Sequence, residues 1–164
     1  MLEEGPERRA RITQEIMDRT GIDEAMIERL VSRFYQRVQL DPVIGPVFAA
    51  RVDDWPAHIR KLCAFWSSVA LMSGRYHGAP MQVHMSLPIN DAHFDRWLDL
   101  FEQTAHELCP PVAAAHFIER ARRIGDSFEM GLAAQQGMIR GARHQTQRPD
   151  LSMMRPLMPD DAAE

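Results

Sequence analysis

Apolar side chains recur every three or four positions along most of the chain, the spacing of an α-helix that buries one face. Four long segments have this pattern, and no run alternates with the period of two that indicates a strand. In the first segment the apolar positions are Ile27, Leu30, Val31, Phe34, Tyr35 and Val38. The pattern therefore predicts an all-α fold with four principal helices.

Capping residues and prolines predict where these helices begin and end. Asp23 can cap the first helix. Asp53-Asp54-Trp55-Pro56 opens the second, with Pro56 well suited to its first turn. Asn90 or Asp91 can cap the third helix, and Cys109-Pro110-Pro111 separates it from the fourth. The fourth has its apolar positions at Phe117, Ala121, Ile124, Phe128 and Leu132.

The second predicted helix, which ends at Ser73-Gly74, is apolar over an unusually wide arc. Two adjacent stripes form that arc: His58, Leu62, Phe65 and Val69, and Ile59, Cys63, Trp66 and Ala70. Such a helix must be covered from more than one side. The connections after the first and second helices are also longer than a simple bundle needs, and the second includes a short helical stretch around Pro80–Met85 that carries His84. We therefore expect something besides helix packing to fill the interior.

The two ends differ from this helical unit. Residues 1–21 are dominated by charge and favour only a short helix around residues 8–19, with few apolar side chains to anchor it. Residues 137–164 contain prolines and little periodicity, which is typical of a flexible tail. We predict one domain at residues 22–136, with a charged N-terminal extension and a C-terminal tail.

Composition excludes several classes of protein. The 164 residues are 45% hydrophobic and 26% charged, which is typical of a globular domain, and the formal net charge of −4 argues against a nucleic-acid partner. Neither a signal peptide nor an apolar run long enough to cross a membrane is present, so we expect a cytoplasmic protein. Cys63 and Cys109 could form one disulfide, but two buried reduced thiols suit that compartment better.

Several side chains on the apolar faces combine bulk with a polar atom. Tyr35, Trp66 and Trp97 need hydrogen-bond partners when they are buried, which favours a polar ligand inside the core. His58 and His84 could stand on either side of a flat cofactor, because a neutral imidazole can bind iron axially. Each of these residues is also compatible with an ordinary core or surface role. A non-haem metal site at His77 and His84 is a weaker alternative, because carboxylates at suitable spacing are missing.

A series of motifs carries a family resemblance. Phe34-Tyr35, Gly45-Pro46-Val47-Phe48, Trp55-x-x-His58 and Phe65-Trp66-Ser67-Ser68 come first. Gly74-Arg75-Tyr76-x-Gly78-x-Pro80-Met81-x-x-His84-x-x-Leu87-Pro88 and His93-Phe94-x-x-Trp97-Leu98-x-Leu100-Phe101 follow. In this order they resemble the group III truncated haemoglobins over residues 22 to about 135. The resemblance implies a two-over-two helical sandwich around haem b.

The resemblance also implies a role for each matching residue. His84 corresponds to the proximal iron ligand, Tyr35 and Trp97 to distal residues that face the bound gas, and His58 to the distal gate. Phe48 corresponds to a residue that packs on the porphyrin. Further cofactor contacts are expected from Phe34, Leu62, Phe65, Trp66, Tyr76 and Phe94. Either Arg75 or Lys61 could pair with a haem propionate, because a carboxylate at the pocket mouth favours a cation.

These roles lead to an expected function. A bacterial globin of this kind binds O₂, NO and CO at ferrous iron, and two distal donors would slow O₂ release. Slow release suits redox chemistry, such as NO dioxygenase or peroxidase-like activity with an unidentified reductant, better than bulk O₂ transport. We expect a monomer or weak dimer. The alternative is a cofactor-free helical interaction or sensor module on a globin-like scaffold.

Overall fold

The computed structural model describes residues 4–76 and 90–135, and all regular structure within those ranges is helical. The described residues form six helices in order: α1 (Gly5–Thr20), α2 (Glu24–Leu40), α3 (Gly45–Ala49), α4 (Trp55–Leu71), α5 (Asp91–Leu108) and α6 (Pro111–Gln135). Helices α2 and α4 pack on each other and lie over the pair α5 and α6. The predicted all-α, two-over-two sandwich is confirmed.

The predicted capping residues begin the long helices. The Asp23 carboxylate accepts a hydrogen bond from the backbone N–H of Met26 at 2.8 Å, and Asp54 caps α4 in the same way. Asn90, rather than Asp91, caps α5: its side chain accepts from the His93 N–H, and the His93 ring accepts from the Asn90 N–H. Local chemistry therefore determines these three starts.

The centre of the fold is a group of aromatic rings that are buried except for the partly buried Trp97. Trp66 of α4 and Trp97 of α5 both lie nearly parallel to the ring of Phe101, with centroid distances of 4.8 Å and 5.9 Å. Phe34 of α2 meets Phe101 edge-on at 5.1 Å. Because the three helices contribute to one stack, its rings fix how α2, α4 and α5 cross.

Two helices depart from the sequence expectation. Helix α3 lies in what the pattern predicts as a loop, and its first residue, Gly45, is so close to α2 that a Cβ there would come within 3.0 Å of the Val38 and Gln39 carbonyl oxygens. Helix α1 is longer than expected and well anchored. Ile16 is buried, and the Thr13 hydroxyl donates to the Leu71 carbonyl at 2.7 Å.

Two predictions concern segments that the structure does not describe. The short helical stretch around Pro80–Met85, with His84, lies outside the described residues, as does the predicted tail at 137–164. The division into extension, domain and tail stays a prediction. Within the described ranges, no helix is both long enough and apolar enough to span a membrane.

Candidate functional site

A cavity of about 190 Å³ lies where α2, α4, α5 and α6 converge. Among the described residues, its walls are formed by Tyr35, His58, Lys61, Leu62, Phe65, Trp66, Tyr76, Trp97, Ile124 and Phe128. Aromatic and aliphatic side chains dominate, and the polar atoms are few: two phenols, two indole nitrogens, one imidazole and one ammonium. Such a lining suits a largely apolar guest that is oriented by a few polar contacts.

Most of the site residues expected from the sequence lie together in this wall. They are Tyr35, His58, Leu62, Phe65, Trp66, Tyr76 and Trp97. They come from α2, α4, α5 and the segment after α4, so tertiary packing brings together positions as far apart as 35 and 97. Lys61, one of the two expected propionate partners, lines the same cavity.

Three expected contact residues lie behind the wall instead. Phe34 is fully buried and packs edge-on against Trp97, with ring centroids 5.8 Å apart. Phe48 packs on Tyr35 at 6.0 Å, and Phe94 lies 6.1 Å from the cavity residue Phe128. These rings hold the lining side chains in place. His84, the expected iron ligand, lies outside the described residues.

The most unusual polar feature of the wall is the pair formed by Tyr35 and Trp97. Tyr35 is 2% exposed, and burial raises the pKa of its phenol to about 12, although a hydrogen bond with the Trp97 side chain works in the opposite direction. The phenol is therefore neutral at physiological pH and keeps its own hydrogen for another partner.

His58 lies beside this pair at the N-terminal end of α4. Its ring meets Tyr35 edge-on, with centroids 6.2 Å apart, and also meets Trp55 edge-on at 5.5 Å. Trp55 in turn lies 6.1 Å from Tyr35. Trp55 therefore supports both polar residues, a role that sequence analysis missed because its position before Pro56 indicates only a helix start.

Helix α6 supplies two further lining residues that sequence analysis missed. Ile124 and Phe128 have the helical spacing of inward-facing residues, and the pattern correctly predicts that they point into the fold. Periodicity does not distinguish a side chain that meets other side chains from one that faces a cavity. Only the packing of α6 against α4 and α5 separates the two cases.

The structure treats the two expected propionate partners differently. Arg75 Nη1 lies 2.7 Å from Glu24 Oε1 and so already has a carboxylate partner. Lys61 is exposed at the cavity, and within residues 4–76 and 90–135 no acidic side chain pairs with it. The donor set fits haem: flat apolar walls can enclose the ring, and one ammonium group can meet a propionate.

The other metal and redox possibilities gain no support from the described residues. In that part of the chain, no three His, Cys, Asp or Glu side chains are placed to hold a metal ion. His77 and His84 lie outside it. Cys63 and Cys109 are free thiols, and burial is the main reason that both have a raised pKa. They are therefore poor nucleophiles at neutral pH.

Comparisons with known proteins agree with this site. A profile of the bacterial-like globin family matches residues 15–123. The group 3 truncated hemoglobin ctb of Campylobacter jejuni is 29% identical over 113 residues, which cover 66% of this chain and 89% of that protein. The crystal structure of the group III truncated hemoglobin from Campylobacter jejuni superposes with a TM-score of 0.62 and 30% identity, over the same shares of the two chains. The family match includes every described lining residue except Ile124 and Phe128.

Proposed function

Because this chain belongs to the bacterial-like globins, in group III of the truncated haemoglobins, we propose that it binds haem b in this cavity. The haem would serve O₂ and NO redox chemistry rather than bulk O₂ transport. The observation that carries the proposal is the neutral, buried Tyr35 phenol, which lines the cavity together with Trp97 on a wall that is otherwise mostly apolar.

The described residues divide the work of holding the cofactor. Leu62, Phe65 and Phe128 offer apolar surface to the porphyrin, and burial of such surface stabilises the complex by about 25 cal/mol per Å². Lys61 offers its ammonium group to a propionate. From the segment outside the described residues, His84 is proposed as the proximal ligand. Ferrous haem held by one histidine supplies an open coordination position for a diatomic gas.

Tyr35 and Trp97 then decide how a gas molecule is held. A phenol O–H that donates to a partly negative guest contributes about 1.5–3 kcal/mol, and a tenfold change in affinity corresponds to about 1.4 kcal/mol. The Trp97 indole N–H on the same cavity wall offers a second donor. The pair therefore slows release of the guest by one to two orders of magnitude.

Slow release favours chemistry over transport. A carrier must release O₂ as its concentration falls, whereas a molecule that is held for long can react with NO or accept electrons. We therefore propose NO dioxygenase or peroxidase-like activity, with an external reductant still to be identified. His58 is half-buried beside Tyr35 and is proposed as the gate through which the gas enters.

The absorption spectrum of the purified protein with added haemin tests the cofactor proposal. We expect a Soret band and a five-coordinate ferrous spectrum. We expect His84→Ala to lose both, while His106→Ala, which changes an exposed histidine on α5, keeps them. A colourless protein that refuses haemin would contradict the proposal and favour the cofactor-free helical module instead.

A further inference from the structure

A buried carboxylate lies at the corner between α2 and α3. The Asp41 side chain is only 2% exposed, and its Oδ2 accepts the backbone N–H groups of Val43 and Ile44 at 3.0 Å and 3.1 Å. Its Oδ1 accepts from Arg96 Nε at 2.7 Å. Burial alone would raise the pKa of this carboxyl group, but the hydrogen bonds from Ile44, Arg96 and Val43 hold it below its ordinary value. Asp41 is therefore ionised and fully partnered at neutral pH.

The partners of Asp41 connect it to both members of the distal pair. Arg96 immediately precedes Trp97 on α5, so the ion pair fixes the backbone that presents the indole. On the other side, Asp41 holds the first residues of the turn that leads into α3, and α3 carries Phe48, which packs on Tyr35 at 6.0 Å. One carboxylate thus restrains the surroundings of both polar side chains.

From this arrangement we propose that Asp41 is a positioning residue for the Tyr35 and Trp97 side chains on the cavity wall. It acts through Arg96 on the placement of Trp97 and through the α2–α3 corner on the placement of Tyr35. Its consequence for ligand release rests on the proposed function, whereas its consequence for the placement of the two side chains does not.

A second link between the same helices provides a matched control. Arg37 of α2 donates to the Thr104 hydroxyl of α5 at 2.9 Å and pairs with Glu107. Thr104 lies seven residues beyond Trp97, about 10 Å along the helix axis. Loss of this contact therefore loosens α2 against α5 without acting on the backbone next to the indole.

The test compares Asp41→Asn with Arg37→Gln in the full-length chain. An asparagine oxygen can still accept the two backbone N–H groups, so this change removes mainly the charge that faces Arg96. The chain has three tryptophans, and Trp97→Phe identifies the Trp97 indole signal in an NMR spectrum. We expect Asp41→Asn to shift that signal and to speed its hydrogen exchange. In the haem-loaded chain it should also speed O₂ dissociation by roughly threefold to tenfold, the usual scale of coupling within one network.

The Arg96 variants and the Arg37→Gln control decide the proposal. Arg96→Gln should shift the Trp97 indole signal and speed its exchange in the same way as Asp41→Asn. The double variant should differ little from either single variant, because both substitutions remove the same Asp41–Arg96 contact. An indole signal unchanged in Asp41→Asn, or changed equally by Arg37→Gln, would overturn the positioning role. A chain without a Soret band contradicts the proposed function separately, since the indole comparison is made whether or not haem is bound.

Discussion

The two parts of helix α4 lie in different environments. In residues 55–65 no side chain is fully buried, although Ile59, Leu62 and Phe65 are apolar. The next six residues have four fully buried side chains, Trp66, Ser67, Ala70 and Leu71. The same helix therefore turns from a half-covered surface into a closed core within one turn.

Contacts from three helices explain why the second part is closed. The Ser67 hydroxyl donates to Glu24 at 2.7 Å, and the Leu71 carbonyl accepts from Thr13 of α1. His116 of α6 lies 2.8 Å from the Ala70 carbonyl. By contrast, His58, Lys61, Leu62 and Phe65 of the first part line the cavity, which ends at Trp66, the first residue of the second part. Other helices thus cover the apolar stripe of α4 at its C-terminal end but not at its N-terminal end. A bound molecule would complete the covering at the N-terminal end.

The largest expected difference between the two parts is in stability. Leu71→Ala should lower the free energy of unfolding by about 2–5 kcal/mol, because it leaves a void in a fully buried site. Leu62→Ala on the cavity wall should cost roughly 1 kcal/mol or less, because that side chain is only half-buried. Urea unfolding of the haem-free chain measures both. Equal losses would mean that the cavity wall is packed as tightly as the core.

The next effect is on ligand release. Tyr35→Phe should speed O₂ dissociation by about tenfold to a hundredfold in stopped-flow measurements, because the wall loses its phenol donor. Tyr76→Phe is the matched control: it changes the chain's other tyrosine, which lines the same cavity. An unchanged rate in Tyr35→Phe would remove this residue from the distal role.

A smaller stability change is expected where α1 meets α4. Thr13→Ala removes the hydroxyl that donates to the Leu71 carbonyl and should cost about 0.5–1.5 kcal/mol in the free energy of unfolding. Thr13→Ser should restore most of that loss, since it keeps the donor. Because this contact belongs to the closed part of α4, O₂ dissociation should stay at the wild-type rate, and a faster rate would link α1 to the cavity.

The smallest expected effect is a pH dependence of the free energy of unfolding, which comes from His116 beside the closed part of α4 (residues 66–71). Burial, together with Arg120 and Arg19, lowers the pKa of His116 below its ordinary value of 6.5. As the pH falls, the His116 ring is therefore protonated in the unfolded chain before it is protonated in the folded chain. The free energy of unfolding should then fall as the pH drops below about 6.5. Urea unfolding between pH 8 and pH 5 measures the slope. In His116→Gln the slope should be shallower, and an identical slope would show that His116 does not contribute to it.

Local features allowed much of the fold to be predicted. Asp23, Asp54 and Asn90 cap their helices through hydrogen bonds that reach only three residues along the chain. The capping residue and its partner are neighbours in the sequence, so the start of the helix can be predicted from the local sequence. Helix α3 was missed because the sequence analysis interpreted Gly45-Pro46 only as a helix breaker, whereas Pro46 also fits the first turn of a new, short helix.

The site was only partly predictable. The aromatic and histidine motifs identified Tyr35, His58 and Trp97 as candidates, and the structure brings these three to one cavity. The sequence did not indicate that Phe48 packs on Tyr35, or that Glu24 engages Arg75 and leaves Lys61 as the available cation. These relations join residues on different helices, so no local pattern contains them.

The sequence by itself determined the four principal helices, the caps at Asp23, Asp54 and Asn90, and the identity of the polar groups on the inner faces. Helical periodicity and capping act over three or four residues, and the side chains themselves are given. Only the tertiary structure decided which inner positions became core and which became cavity wall, and that Asp41 would meet Arg96 55 residues away. The physical reason is that burial and long-range hydrogen bonds depend on how the helices cross, and the stacked rings between them fix that crossing.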